Sequence, residues 1–285
     1  MTLGRADLQC HADASENSAH PEPVEGRPPL PRLGRADLQI HSDAGDGMAS
    51  ADEILRWAQR AQLDLIAVTD HDDIRGGLLA LETADRTGSP VQVIPGLELT
   101  TRGGHLLALF PALRVGGQPT PDVPPLRALS WTIAAIHAQG GVCVVPHPLA
   151  KVPASVGRRA LDRLAIAAPE SRPDGVELAN PAPPARWSAT AARRGNRAWG
   201  LAETGGSDAH FPEAIGAALT RFPGRSVNDL LAALSMQTTV AELGVAPSLR
   251  EIGPRRLLAQ QARGLSATPR ALAGRARRRL QRRPL

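Results

Sequence analysis

Residues 65–72 read LIAVTDHD, a short run of apolar residues that ends in Asp70, His71 and Asp72. Residues 142–148, VCVVPHP, repeat the arrangement and end at His147. Short apolar runs that alternate with amphipathic stretches are typical of buried strands in a parallel α/β fold. In such a fold the carboxyl ends of the strands meet on one face, where active sites lie. The sequence therefore predicts a site built from strand ends.

The same alternation continues along most of the chain. Strands are predicted at residues 36–41, 65–69, 91–97, 105–110, 142–145, 175–179 and 198–203. Helices are predicted at residues 50–61, 74–86, 126–139, 158–167, 185–194 and 227–236. Ser50 and Glu53 have the spacing of a capping box, which marks the start of the first helix. The pattern indicates a barrel or an open parallel sheet.

Composition excludes several classes of protein. The chain of 285 residues has four Trp, three Phe and no Tyr, so a base-stacking platform for nucleic acid has little to be built from. No apolar run approaches the roughly 18–20 residues that a membrane span needs. Two cysteines are too few for a disulfide framework or a thiolate zinc site. We expect a soluble cytoplasmic protein with no membrane partner.

The two ends of the chain differ from its body. Residues 4–14, GRADLQCHADA, are nearly repeated by residues 34–44, GRADLQIHSDA, and the stretch between them is polar and rich in proline. Only the second copy leads into an amphipathic helix, so residues 1–33 are expected to form a disordered arm. Residues 241–285 form an Arg-rich tail, helical or disordered, with eleven arginines from residue 250 onward.

Residues that bind metals recur at the strand ends. A lone histidine is more often a surface or core residue than a ligand. Here, however, five of the eight histidines lie at or beside strand ends, together with three carboxylates. The set is His41, Asp46, His71, Glu98, His105, His147, Asp208 and His210. Nitrogen and oxygen ligands without thiolates favour zinc, manganese or iron.

The ordered motifs resemble those of the PHP (polymerase and histidinol phosphatase) superfamily. They are DLQIHSDAGDG, IAVTDHDD, PGLEL, GGHLLALF, GGVCVVPHP, GVELANP and GGSDAH, between about residues 35 and 235. The resemblance implies a distorted (β/α)7 TIM-like barrel over residues 34–240. It also implies two or three divalent metal ions per chain (Mn, Zn or Fe) and phosphoester hydrolysis.

The resemblance also assigns the ligands. It implies a first metal at His41 and Asp208, with Glu98 bridging to a second metal at His105 and His147, and a third metal at Asp46, His71 and His210. Gln39 stands where the family's first motif usually has a histidine. Its neutral amide oxygen is a weaker ligand than imidazole for zinc-like metals, so we expect the first metal to be loose, replaced or absent.

These observations predict a metal-dependent phosphoesterase that uses a metal-activated hydroxide. Its substrate would be a nucleotide, an oligonucleotide or a small phosphomonoester. Asp70 is expected either to orient a ligand imidazole, by accepting a hydrogen bond from its other N–H, or to cap its strand end. Arg102 and Lys151 follow Glu98 and His147 closely and are candidates to contact the phosphate. Because the chain has no long insertion after Glu98, an open pocket without a lid is expected.

Two alternatives remain open. Gln39 and the basic tail favour a PHP metal-binding module without catalysis that acts in nucleic-acid or protein interaction, with weak nucleic-acid contact through the tail. A solvated terminus explains the tail equally simply. A zinc amidohydrolase on a similar barrel is a weaker interpretation, because the His-x-His signature is broken. The eight candidate ligands favour the enzyme, because crowded carboxylates repel one another without a cation.

Overall fold

The computed structural model describes residues 33–117, 119–152 and 154–281, with the side chains of 278–281 left out. Nine strands form one nearly closed, barrel-shaped sheet in the order β7-β6-β5-β4-β3-β2-β1-β8-β9. The strands are β1 (Leu33–Ile40), β2 (Leu65–Val68), β3 (Gln92–Thr101), β4 (Gly104–Leu109), β5 (Val142–Val145), β6 (Gly175–Ala179), β7 (Ala202–Gly205), β8 (Ala218–Pro223) and β9 (Val240–Leu243). The α/β class and the PHP-type barrel predicted from sequence are confirmed.

Helices surround the sheet. They are α1 (Ala51–Arg60), α2 (Arg75–Thr87), α3 (Leu129–His137), α4 (Arg158–Ala165), α5 (Pro183–Trp199), α6 (Val227–Ser235), α7 (Leu249–Ile252) and α8 (Pro254–Gln281). The predicted capping box is present at α1, where Glu53 N donates to Ser50 Oγ and Ser50 N donates to Glu53 Oε2. No helix in the described ranges is both long enough and apolar enough to cross a membrane.

The sheet is mixed, which corrects the expectation of parallel strands throughout. β1–β2–β3 and β5–β6–β7 are parallel, but β4 is antiparallel to both β3 and β5. Only Arg102 and Gly103 separate β3 from β4, and a connection of two residues permits only an antiparallel hairpin. β8 is antiparallel to β1 and to β9, and neither β8 nor β9 was predicted.

The strand predicted at residues 198–203 is displaced. α5 continues to Trp199, and the strand β7 begins at Ala202. Trp199 is 2% exposed and its indole Nε1 donates to Asp162 Oδ1 at 2.7 Å, so burial of this residue extends the helix. Gly200, in the left-handed region at φ 58°, then ends α5 as glycine commonly does.

Apolar side chains from several strands pack into one core and fix the positions of the strand ends. The cluster includes Leu38, Leu65, Leu107, Val144 and Phe222, each at most 1% exposed. Burying each such side chain contributes about 1.5–3 kcal/mol. Hydrogen bonds between Gly205 and the Thr220 hydroxyl link β7 to β8. The strand ends therefore stand on a rigid scaffold.

The C-terminal segment folds into helices. β9 crosses the predicted domain boundary at residue 240, and α8 is a helix of 28 residues. α8 contacts the loops that follow β1 and β2, as detailed below. The proposed division at residues 34–240 and 241–285 stays a prediction, and the predicted arm at residues 1–33 lies outside the described residues except for Leu33.

Candidate metal centre

The structure brings all eight predicted ligand residues together at one end of the barrel. His41 follows β1, His71 follows β2, Glu98 lies in β3, His105 lies in β4, His147 follows β5, and Asp208 and His210 follow β7. Asp46 comes from the loop between β1 and α1. Strand ends separated widely in sequence thus supply one cluster, as the alternating pattern predicts.

Glu98 lies at the centre of the cluster and is 1% exposed. Its Oε1 is 2.5 Å from His105 Nδ1 and 3.0 Å from His147 Nε2. Its Oε2 is 3.2 Å from His41 Nε2 and 3.7 Å from His71 Nδ1. Burial opposes ionisation, but the surrounding imidazoles hold the pKa of Glu98 well below its usual range. Glu98 is therefore an anion shared by four imidazoles.

Asp46 and Asp208 are the other two carboxylates of the cluster. Asp46 Oδ2 is 3.1 Å from His210 Nε2 and 3.9 Å from His71 Nε2. Asp208 Oδ1 is 3.2 Å from His41 Nε2. Among the residues that the structure describes, three groups have ligand atoms within 4.8 Å of one another: His41, Asp46, His71 and His210; His71, Glu98 and His105; and His41, Glu98 and Asp208.

His41 shows that the cluster fits cations. Both of its ring nitrogens are buried and lie 3.2–3.3 Å from carboxylate oxygens, but within the part of the chain that the structure describes none of these contacts has the geometry of a hydrogen bond. Burial disfavours a charged imidazole, yet Asp208, Asp46 and Glu98 raise the pKa of His41 well above its usual range. Asp46 Oδ1 and His147 Nδ1 are also buried without partners. A divalent cation would satisfy such nitrogen and oxygen atoms together.

The backbone is strained at two candidate ligands. His147 has φ 31° and Asp208 has φ 52°, in the left-handed region that non-glycine residues seldom adopt. A residue held there costs on the order of 1–3 kcal/mol, and such residues cluster at functional sites.

Gln39 takes the place that the sequence predicts for the missing histidine. It is 0% exposed, and its Nε2 donates to Glu98 Oε2 at 3.0 Å. Its Oε1 has no partner in the described residues. The amide thus lies beside the group formed by His41, Glu98 and Asp208.

Asp70 lies beneath the loop after β1. Its carboxylate accepts hydrogen bonds from Ser42 N at 2.7 Å and from Ser42 Oγ at 2.6 Å. Burial raises the pKa of Asp70 to about 6. No imidazole of the described chain donates to this carboxylate, so the geometry matches the strand-end cap and not the orientation of a ligand. A catalytic role for Asp70 stays a prediction.

Arg102 and Lys151 lie outside the cluster. Arg102 Nε donates to Leu126 O at 3.0 Å, and its side chain is exposed. Lys151 is exposed between Ala150 and Val152. Both of these neighbours line a cavity of about 180 Å³ beside the cluster, whereas Arg102 and Lys151 are not among its described lining residues.

Sequence reasoning missed two residues that contact the cluster. Glu177 is buried, and its Oε2 accepts from His147 N at 2.7 Å and from Asn180 Nδ2 at 2.9 Å. Burial raises the pKa of Glu177 to about 8. Glu177 is the acidic residue of the motif GVELANP, which could have marked it. Gln260, in α8, has its Nε2 3.4 Å from Asp46 Oδ2, and no motif marked it.

Comparisons with known proteins find matches over parts of the chain. A family model described as PHP-associated matches residues 188–239. An uncharacterized protein of Methanocaldococcus jannaschii, MJ1587, is 32% identical over 127 residues, which are 45% of this chain and 64% of that protein. This chain therefore spans less than two thirds of that relative's length.

Solved structures share the fold. A two-domain protein of Bacteroides vulgatus that contains a predicted PHP-like metal-dependent phosphoesterase superposes with a TM-score of 0.60 at 19% identity, over 82% of this chain and 70% of that one. The lesion-specific endonuclease PfuEndoQ of Pyrococcus furiosus superposes with a TM-score of 0.53 at 17% identity, over 76% of this chain and 60% of that one. The chain therefore carries a PHP-associated segment and shares its fold with PHP-like proteins.

Proposed function

We propose that this protein is a metal-dependent phosphoesterase that hydrolyses a phosphate ester of a nucleotide, an oligonucleotide or a small molecule. The observation that carries the proposal is the buried carboxylate of Glu98, which has imidazole nitrogens of four histidines within 3.7 Å. The chain's place among PHP-like proteins supports hydrolysis as its chemistry. The low cysteine content favours a cytoplasmic location.

The proposal assigns the cluster to two or three divalent cations, with Mn, Zn and Fe as candidates. His41, Asp208 and Glu98 would hold the first ion, with Gln39 beside it. Glu98, His105 and His147 would hold the second, and Asp46, His71 and His210 the third. When bound, such ions lower the pKa of water and neutralise the charge of phosphate oxygens.

The chain's own residues prepare this chemistry. Gln39 Nε2 donates to Glu98 Oε2 and fixes the orientation of the shared carboxylate. Glu177 accepts from His147 N and holds that residue's strained backbone in place. Apolar side chains of Ala150, Val152 and Pro184 line one side of the cavity. Lys151 is the better-placed candidate for contact with the phosphate, because Arg102 donates to Leu126 O instead.

The interaction module without catalysis is not favoured. Four arginines of the C-terminal segment contact acceptors on the body of the protein: Arg256, Arg263, Arg270 and Arg275. Those guanidinium groups donate hydrogen bonds within the protein, which weakens the argument that the tail exists to bind nucleic acid. An oligonucleotide stays within the proposed substrate class, as the structural likeness to an endonuclease suggests.

Metal analysis combined with turnover tests the proposal. Protein purified without chelator or His-tag is analysed for metals, then assayed with p-nitrophenyl phosphate, bis-p-nitrophenyl phosphate and a labelled oligonucleotide. We expect two or three equivalents of metal and hydrolysis of at least one substrate, abolished by EDTA and restored by Mn²⁺. Less than half an equivalent after addition of Mn²⁺, or turnover unaffected by EDTA, would contradict the proposal.

A further inference from the structure

We infer that α8 is part of the metal centre and that Gln260 is a positioning residue for Asp46. This inference rests on the proposed function, because it concerns the same cluster. α8 lies directly against one side of the cluster, at Asp46. Three sets of contacts carry the inference.

The first set joins α8 to the Asp46 carboxylate. Gln260 is 7% exposed, and its Nε2 is 3.4 Å from Asp46 Oδ2, the oxygen that also lies 3.1 Å from His210 Nε2. One turn further along, a Cβ added to Gly264 would lie 3.3 Å from the same oxygen. A larger residue at this position would crowd the carboxylate, so glycine favours the close approach of the helix. α8 therefore limits the positions that the Asp46 side chain can take.

The second set holds the backbone on both sides of Asp46. Asp46 lies between Gly45 and Gly47, and glycine gives a loop more conformational freedom than any other residue. Arg270 NH2 donates to Gly45 O at 3.2 Å, and Arg263 NH1 donates to Gly47 O at 2.8 Å. Gly45 N and Gly47 N also donate to Ser42 O, so the two guanidinium groups of α8 complete the restraint of the backbone on both sides of the ligand.

The third set reaches the turn that carries His71. Thr268 Oγ1 donates to Asp72 Oδ2 at 2.8 Å, while Asp72 Oδ1 accepts from Thr100 N at 2.7 Å. Asp72 is thereby held between α8 and β3, and it is the neighbour of His71. Among the described contacts, α8 touches the loops of Asp46 and His71 but none of His105, His147 or Glu98. Its effect should therefore fall on the third ion.

A role in metal binding is distinguishable from simple docking of the helix. Arg275, which pairs with Asp122 and donates to Val123 O, anchors α8 about 22 Å along the helix from Gln260. Loss of Arg275 weakens docking without touching the loop of Asp46. Loss of the Gln260 amide alters the contact with Asp46 and leaves the distant anchor intact.

The experiment is a Mn²⁺ titration of the full chain after EDTA treatment, with free Mn²⁺ measured by electron paramagnetic resonance. Gln260→Met keeps the size of the side chain and removes its donor. We expect one equivalent of Mn²⁺ to bind about 10-fold more weakly and the remaining equivalents to be unchanged, as for other residues that orient a ligand. Arg275→Met and Gln59→Met, a glutamine of α1 that contacts Ser89, are expected to bind as the wild type does.

Each outcome has a distinct meaning. Wild-type protein that binds no Mn²⁺ contradicts the proposed function and this inference together. If Gln260→Met binds every equivalent within twofold of the wild type, or if Arg275→Met loses the same equivalent, the inference alone is overturned. Thermal unfolding of each variant reports whether it folds. Should Gln260→Met fail to fold, Arg263→Met, which releases Gly47 O, replaces it with the same expected weakening and the same opposing result.

Discussion

The two sides of the cluster are built differently. His105 lies within β4 opposite Thr100 of β3, and His147 lies two residues after β5, where its backbone N donates to Glu177 of β6, so the sheet sets the positions of both residues. Asp46 comes from a glycine-flanked loop that is held by a helix more than 200 residues later in the chain. The barrel alone positions Glu98, His105 and His147, here called the Glu98 side. On the Asp46 side, which comprises Asp46, His71 and His210, the position of Asp46 also depends on α8.

The difference has a consequence for metal binding. Strand-borne ligands are preorganised, because the core and the register of the sheet fix them before a cation arrives. The Asp46 loop is held by backbone hydrogen bonds from Gly45 N and Gly47 N to Ser42 O, and side chains of α8 restrain it further. Ions on the Asp46 side should therefore exchange faster than ions on the Glu98 side.

The largest expected effect comes from Glu98→Gln, which removes the anion shared by both sides. The variant should bind at least one equivalent of Mn²⁺ more than about 100-fold more weakly, because even residues behind a ligand contribute about 10–100-fold. Isothermal titration calorimetry measures the change. Glu82→Gln, on the exposed face of α2, is the matched control. Wild-type affinity in Glu98→Gln would remove the basis of the proposed centre.

Gln39→His tests whether the amide of Gln39 weakens binding of the first ion, which also contacts Glu98. An imidazole is a better ligand for zinc-like ions than a neutral amide, so one equivalent should bind about 10-fold more tightly. The same titration detects the change, and the affinity on the Asp46 side should not move. Equal affinity in variant and wild type would mean that Gln39 does not limit the first ion.

Lys151→Ala and Arg102→Ala compare the two candidate cations. Lys151 lies between two residues that line the cavity, so its loss should lower kcat/KM by up to about fivefold, as for an exposed ion pair of at most ~1 kcal/mol. Arg102 Nε donates to Leu126 O, so Arg102→Ala should stay within about twofold of the wild type. Steady-state kinetics with the best substrate measures both. A larger loss in Arg102→Ala would reverse the assignment.

The smallest effect lies far from the cluster. Asp174, whose Oδ2 is 2.9 Å from His137 Nε2, raises the pKa of His137. A raised pKa means that this stabilisation is complete below about pH 6.5 and is lost as pH rises through the folded-state value. His137→Gln should thus destabilise the protein by about 1 kcal/mol or less at pH 5.5, because the pair is partly exposed, and by less at pH 9.

Urea unfolding at the two pH values measures the His137 effect. A loss that is equal at both would show that the ion pair contributes nothing. Since His137 is remote from the cluster, its substitution should leave metal content unchanged, which separates stability from metal binding.

Much of the site was predictable because strand ends in a barrel converge whatever their separation in sequence. His41, Glu98 and His147 follow from that rule together with the chemistry of imidazole and carboxylate. The antiparallel β4 was not predicted, although a two-residue connection forces it. Gln260 could not be predicted, because its contact with Asp46 depends on how α8 docks and not on a local pattern. The contacts of Arg256, Arg263 and Arg275 with the body of the protein could not be predicted for the same reason.

Anomalous diffraction at the manganese edge, from crystals grown with Mn²⁺, tests the account most directly. We expect one anomalous-difference peak bounded by Glu98, His105 and His147 and another bounded by Asp46, His71 and His210. The first site, beside Gln39, should be weaker or empty. The absence of any peak within coordination distance of Glu98 would contradict the account.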